Sequence, residues 1–158
     1  MERFLALDLG TKTLGIAISD TLGIAHGYEQ FNFEVFNYKK ARNHVKEIVE
    51  KEKISTIILG YPLHMSGELS DRAKSCIRFK EDLEKEIENV TIILEDERLT
   101  TVEATDRLHA LGLNSKQIKE VIDKMSAVVI LENYLGRLKK WLMKTKSSLM
   151  MNLVMKKY

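Results

Sequence analysis

RFLALDLGTKTLGIAISD, residues 3–20, is the stretch that decides the fold of this chain. Two apolar runs, residues 3–9 and 14–19, flank a short Gly-Thr-Lys-Thr turn, a pattern that predicts two strands joined as a hairpin. One acid, Asp8, interrupts the first run. A carboxylate is costly to bury unless it is paired, protonated or bound to a metal ion. Asp8 is therefore either a turn residue or the partner of a cation.

The composition is that of a single globular domain. The chain has 158 residues, enough for one domain with a proper core, and it is 44% hydrophobic and 30% charged, which excludes a disordered chain. No apolar run reaches the roughly 18 residues of a membrane-spanning helix, and the N-terminus has no signal-peptide core. The single cysteine, Cys76, excludes an internal disulfide. We expect a cytoplasmic protein with no membrane partner.

The charge is distributed unevenly along the chain. The net charge is +2, but no acid follows Glu132, and seven of the 25 basic residues lie in residues 137–158. A basic arm on an acidic body favours an anionic polymer as a partner. The alternative is a solvated helix end, where lysines suit the helix dipole.

The order of the remaining elements predicts the fold class. A weaker third strand is expected at residues 24–33, further strands at 54–59 and 90–94, and helices at 37–53, 70–88, 100–112 and from Asp123 to about Met143. Ser70 is a candidate N-cap, and Thr100 with Glu103 fits a capping box. This order predicts an α/β fold, a mixed five-stranded sheet with helices on both faces.

Acidic residues follow several of these strands. Right-handed crossovers place strand 54–59 beside the first strand and strand 90–94 beyond it, and ligands collect at the carboxyl ends of such strands. Asp8, the cluster of residues 95–97 and Asp123 all belong to that edge, and the small Ala127 allows the last helix to approach the sheet closely.

Carboxylates that converge in this way need a cation. Three of them within about 4–6 Å repel by a few kcal/mol per pair at an effective dielectric constant near 20. Oxygen-only ligands favour Mg²⁺ or Mn²⁺, and two such ions activate a water and stabilise the leaving oxygen of a phosphodiester. The acids therefore indicate a metal-dependent phosphodiesterase.

Four ordered motifs carry a resemblance to a known family. DLGTKTLGIAISD, LGYPLHMSGELSDRA, EDERLTTVEA and DKMSAVVILENYL resemble the YqgF/RuvX family over about residues 3–135. The resemblance implies a ribonuclease H-like fold related to the RuvC Holliday junction resolvases, and a nuclease that matures the pre-16S ribosomal RNA. It also implies that Asp8, Glu97 and Asp123 are the catalytic and metal-binding acids. Within the cluster Asp96 and Glu95 are second choices, and strand alternation predicts Glu95 and Glu97 on one face and Asp96 on the other.

One position departs from the related resolvases. Sites of the RuvC type tend to carry a further acid one turn into the last helix, where this chain has Ser126, so fewer ligands remain for a second metal ion. The expected domains are a ribonuclease H-like nuclease domain, residues 1–136, and a basic C-terminal helical extension, residues 137–158.

Basic residues are candidates for binding the substrate. Lys12 and Arg98 flank the acids and either contact phosphate oxygens or form salt bridges with nearby acids. In the basic tail, Lys139 and Lys140 are expected to bind phosphates, together with Arg137, Lys144 and Lys146. In the loop after Gly60, His64 and Ser66 are within possible reach of a substrate. Aromatic residues are sparse, and the sequence indicates no stacking platform for single strands.

The predicted function is a Mg²⁺- or Mn²⁺-dependent nuclease that acts on nucleic acid. The resemblance favours RNA, in ribosomal precursor particles, as the substrate. Two alternatives remain open: cleavage of branched DNA, and a catalytically weak module that only binds nucleic acid.

Overall fold

Strands and helices alternate along the chain after an initial three-stranded meander. The computed structural model describes residues 2–62, 69–97 and 100–157, so Arg98, His64 and Ser66 lie outside the described residues. The elements are β1 (Phe4–Leu9), β2 (Thr13–Ser19), β3 (Ala25–Asn32), α1 (Tyr38–Glu52), β4 (Thr56–Tyr61), α2 (Asp71–Glu86), β5 (Thr91–Asp96), α3 (Thr100–Ala110) and α4 (Ser115–Lys157).

The five strands form one mixed sheet in the order β3-β2-β1-β4-β5. β2 pairs antiparallel with β1 and β3, whereas β4 runs parallel to β1 and β5. The hairpin at residues 3–20 and the expected positions of the two later strands are confirmed. The carboxyl ends of β1, β4 and β5 consequently lie at one edge of the sheet.

Alternation along β1 divides the core into two layers. Leu5 and Leu7 belong to the cluster that packs on α1 and α2. Phe4 and Ala6 belong to the cluster on the other face, which packs on α4. Since side chains two apart share a face, Asp8 belongs to the α4 face. Helices cover both faces, as the sequence predicts.

The prediction that Asp123 opens the last helix is wrong. α4 begins at Ser115 and ends at Lys157, well beyond Met143. The cause is a reciprocal cap: the Gln117 amide donates to Asn114 Oδ1, and the Asn114 amide donates to Gln117 Oε1, each at 2.9 Å. This is the Asn form of a capping box, and it places Asp123 about two turns inside the helix.

The two other predicted caps have different outcomes. Ser70 caps α2, since its hydroxyl accepts from the Ala73 amide at 3.0 Å. The capping box at Thr100 is wrong, because Thr100 is already helical and its hydroxyl donates to the Glu97 carbonyl at 2.9 Å. The Glu103 carboxylate instead accepts from Arg107, one turn further on, at 3.0 Å.

α4 lies very close to the sheet, as the small Ala127 led us to expect. A Cβ atom at Gly15 would overlap the backbone carbonyl of Asp123, and one at Gly27 would lie 3.2 Å from the Lys124 side chain. Ala127 itself is fully buried. A side chain at Gly15 would push the helix outward, so this glycine sets the distance of Asp123 from the sheet. A side chain at Gly27 would only require the flexible Lys124 side chain to shift.

α4 crosses the sheet and then extends beyond it. It contacts β2 near Asp123, its Tyr134 ring packs on Phe4 with centroids 5.7 Å apart, and Arg137 pairs with Glu95 of β5. Beyond Leu138 the helix is largely exposed, and it shows no break near Gly136. The division into domains at residue 136 therefore stays a prediction. None of the described helices is sufficiently long and apolar to span a membrane.

Candidate active site

Asp8 is buried near the carboxyl end of β1, with 3% of its surface exposed. Arg72, in the first turn of α2, donates from Nη2 to Asp8 Oδ1 at 2.8 Å and from Nε to the Leu9 carbonyl at 3.2 Å. Asp8 is therefore not a simple turn residue. A guanidinium of the chain itself is one cation that partners it.

Glu97 lies beside Asp8, immediately after β5. It is buried, and Arg72 Nη2 lies 3.5 Å from its Oε1. That contact is too long for a good hydrogen bond, and among the described residues Glu97 Oε1 has no hydrogen-bond partner. A Cβ atom at Gly60 would lie only 2.7 Å from Glu97 Oε2, so the glycine in β4 makes room for this carboxylate.

The alternation predicted for the acidic cluster matches the burial pattern. Glu95 and Glu97 are buried, whereas Asp96 between them is exposed. Glu95 pairs with Arg137 of α4. Because its partner comes from the tail, Glu95 stabilises the crossing of α4 over β5, and Glu97 is the member of the cluster beside Asp8.

Asp123 lies on α4, the helix that packs on the face of the sheet to which Asp8 belongs. Its carboxylate accepts a hydrogen bond from the Thr13 hydroxyl at the start of β2. The backbone amides of Asp123 and Lys124 both lie 3.2 Å from Gln30 Oε1 on β3. These contacts fix this turn of α4 against the hairpin, next to the two buried acids.

The three acids influence one another electrostatically. Burial, with repulsion from Glu97 and Asp123, raises the pKa of Asp8 well above its usual range against the opposing effect of Arg72. Burial also raises the pKa of Glu97, although Arg72 and a hydrogen bond with Asp8 oppose that rise. The pair therefore tends to retain a proton. A divalent cation bound between the two carboxylates would displace that proton.

The donor chemistry fits a hard divalent cation. Asp8, Glu97 and Asp123 offer only oxygen ligands. The buried Glu97 Oε1 has no hydrogen-bond partner in the part of the chain that the structure describes, and such an ion would supply one. As they stand, no three His, Cys, Asp or Glu side chains within residues 2–62, 69–97 and 100–157 are arranged to hold a metal ion. Arg72 contacts Asp8 and Glu97, and Thr13 holds Asp123, so these contacts must rearrange for all three to bind one ion.

The other predicted residues are placed less centrally. Lys12 is exposed in the β1–β2 turn, and Lys139 and Lys140 are exposed on α4 beyond the sheet. Arg137, which the sequence assigned to phosphate binding, pairs with Glu95, and its contact with phosphate stays a prediction. Ser126 is buried on α4, with 1% of its surface exposed.

Arg72 is the residue that the sequence reasoning missed. It is part of the quoted motif LGYPLHMSGELSDRA but was given no role. The available signal was the Ser70 cap, which places Arg72 in the first turn of a helix that follows β4 at the active edge. The nearby Cys76 is not a nucleophile, because burial foremost, and then the Glu97 charge, raise the pKa of its thiol to about 12.

Comparison with known proteins decides the family. The model of the RuvX family, described as a Holliday junction resolvase, matches residues 2–137. The chain belongs to the RuvX family. A relative from Geobacillus sp. (strain WCH70), named "Putative pre-16S rRNA nuclease", is 42% identical over 134 residues, which cover 84% of this chain and 96% of the relative. A relative of the same name from Onion yellows phytoplasma is 41% identical over 135 residues, covering 85% and 89%.

A solved structure confirms the fold of this RuvX-family chain. RuvC of T. thermophilus, in complex with a Holliday junction substrate, superposes with a TM-score of 0.57 at 13% identity, over 88% of this chain and 97% of RuvC. The α/β, ribonuclease H-like fold and the nuclease class are thereby confirmed. Most of the basic extension lies beyond the family match, which ends at residue 137.

Proposed function

We propose that this RuvX-family nuclease hydrolyses phosphodiester bonds of RNA in the precursor of 16S ribosomal RNA, using Asp8, Glu97 and Asp123 with Mg²⁺ or Mn²⁺. The observation that carries the proposal is the buried pair of Asp8 and Glu97. The pair tends to retain a proton and contacts the Arg72 guanidinium, and one Glu97 oxygen has no hydrogen-bond partner within residues 2–62, 69–97 and 100–157. A protein has little structural use for two such acids side by side unless a cation binds them.

The residues of the chain have distinct roles in this proposal. Asp8, on β1, and Glu97, immediately after β5, would hold the ion, and Asp123 would complete the ligands from α4. When bound, the ion activates a water and stabilises the leaving oxygen. Arg72, released from the carboxylates, donates to a non-bridging oxygen of the scissile phosphate. Lys12, in the exposed β1–β2 turn four residues after Asp8, neutralises a neighbouring phosphate.

RNA is favoured over branched DNA as the substrate. Two relatives that match nearly the whole family region carry the name "Putative pre-16S rRNA nuclease". The likeness to RuvC, at 13% identity, concerns the fold alone. We therefore propose that the enzyme acts in the cytoplasm, on ribosomal precursor particles.

A cleavage assay tests the proposal. Fluorescent RNA spanning a pre-16S 5′ end and a four-way DNA junction are incubated with Mg²⁺, Mn²⁺ or a chelator. We expect metal-dependent cleavage of the RNA, lost in Asp8→Asn because the amide keeps the shape without the charge. The matched control is Asp96→Asn, an exposed acid next to the site that should leave cleavage intact.

Each other outcome has a definite meaning. Cleavage of the junction alone favours the resolvase alternative. Binding without any cleavage favours the nucleic-acid-binding module. Full activity of Asp8→Asn would place the site elsewhere.

A further inference from the structure

We infer that a cationic cleft between the start of α1 and the face of α2 binds one unpaired nucleotide of the RNA strand, with its base stacked on Phe36. This inference rests on the proposed function, since it names the form of RNA that reaches the same active site. It adds a subsite on the side of the sheet opposite α4.

The cleft has a volume of about 410 Å³ and carries basic side chains. Phe36, two residues before α1, lines it together with Lys39 and Arg42 of α1, and Ser75, Arg78 and Asp82 line it from α2. Arg42 is neutralised, lying 3.6 Å from Asp82 and 3.2 Å from Glu86. Within the described ranges, neither Lys39 nor Arg78 has a carboxylate partner, and both are exposed. Two cations thus remain available to phosphate oxygens.

Phe36 is unusual in two independent ways. Its side chain is 66% exposed, although it is a large apolar residue. Its backbone has φ of 63°, in the left-handed region, which is unfavourable for a bulky residue. Its ring meets Tyr38 edge-on, with centroids 6.3 Å apart, which limits its motion. A largely exposed ring buries little apolar surface, and backbone strain of this kind is concentrated at ligand contacts.

The cleft adjoins the acids through both of its walls. The Phe36 amide donates to the Thr11 carbonyl at 2.8 Å, and Thr11 lies in the turn that follows Asp8. On the other wall, Ser75 follows Arg72 by three residues, about 4.5 Å along the axis of α2. A strand whose phosphate reaches Arg72 therefore continues directly into the cleft.

The chemistry of the cleft selects unpaired nucleotides. A base stacks on an aromatic ring only when its face is free, and cations beside the ring then hold the adjoining phosphates. Bases within a duplex are already stacked on their neighbours. The cleft is therefore suited to a single-stranded segment next to the cleavage point.

Binding measurements on Phe36→Gly separate this role from a structural one. Glycine relieves the positive φ, so the thermal midpoint should rise, while affinity for a short fluorescein-labelled single-stranded RNA should fall by about tenfold, within the range for one base stacked on an aromatic ring. Phe36→Trp should retain the affinity. In a Trp141→Phe background, the fluorescence of that new tryptophan should be quenched by the RNA. The control is Leu22→Ala, an exposed apolar residue in the β2–β3 turn.

The charges are tested by a matched pair on one helix. Lys39→Ala should weaken binding and reduce its salt dependence, whereas Lys51→Ala, at the far end of α1, should change neither.

The results distinguish the subsite from the nuclease proposal. Unchanged single-strand affinity in Phe36→Gly, or an equal loss on duplex RNA of the same sequence, would overturn the inference whether or not the protein cleaves RNA. Loss of single-strand binding in Phe36→Gly, with a wild-type protein that cleaves nothing, would support the subsite and contradict the nuclease proposal.

Discussion

Substituting Gly60 should lower both the activity and the stability of the protein. In Gly60→Ala the new Cβ would lie 2.7 Å from both Glu97 Oε2 and Ile130 Cδ1, well inside van der Waals contact. Overpacking of this kind destabilises by about 1–3 kcal/mol. A shift of a catalytic group by about 1 Å lowers the rate by roughly 10²-fold. We expect both effects, since both neighbours must move.

A double variant separates the two contacts. Ile130→Val removes the Cδ1 atom, so Gly60→Ala/Ile130→Val should regain most of the stability while the rate stays low, because Glu97 is still displaced. Gly136→Ala is the control: its Cβ would meet nothing within 4 Å, and alanine favours a helix by about 0.5–1 kcal/mol.

Two measurements decide this prediction. Urea unfolding gives the stability, and single-turnover cleavage of labelled RNA with saturating protein and Mg²⁺ gives the rate. Recovery of the rate in the double variant would refute the placement of Glu97 against Gly60. A wild-type rate in Gly60→Ala would show that the position of this carboxylate does not matter.

Three further predictions concern the acids and the tail. Arg72→Ala should lower the stability of the metal-free protein by about 1–2 kcal/mol, because the buried Asp8 loses its partner; the loss is limited because the arginine is half-exposed. Mg²⁺ should then raise the thermal midpoint more in the variant than in the wild type, and equal shifts would contradict this. In a chelator, wild-type stability should fall as pH rises from about 4 through the raised pKa of Asp8, since the folded state retains a proton that the unfolded state has lost. Urea unfolding of Asp8→Asn should show a flatter dependence of stability on pH, and an equal slope would count against the raised pKa. Truncation after Gly136 should weaken RNA binding and flatten its salt dependence by about 0.7–0.9 per lost phosphate contact; an unchanged slope in a folded truncation would indicate that the tail is only a solvated helix end.

Features set by local sequence were predictable. The apolar runs around Asp8 predicted the hairpin, because strand alternation and a tight turn are properties of adjacent residues. The same alternation placed Glu97 and Glu95 on one face. The parallel order of the later strands followed from the handedness of crossovers, which depends little on side chains.

Features that depend on distant contacts were not predictable in the same way. Arg72 contacts Asp8 across 64 residues of sequence, so only the folded chain brings the two together. Phe36 is exposed and strained because of where α1 begins beside the turn at Thr11, which composition does not reveal. The early start of α4, by contrast, was predictable from local sequence, because Asn114 and Gln117 have the spacing of a capping box.

The pairing of the acids within the chain bears on whether the protein folds before or after it binds a metal ion. Repulsion between clustered carboxylates normally destabilises the folded state until a metal ion binds, so that folding depends on the concentration of that ion. Here the guanidinium of Arg72 and a retained proton balance the acids beforehand. On the proposed mechanism, the chain would therefore fold before the ion binds. Shortage of the ion would leave a pool of intact, inactive protein, and not a misfolded one.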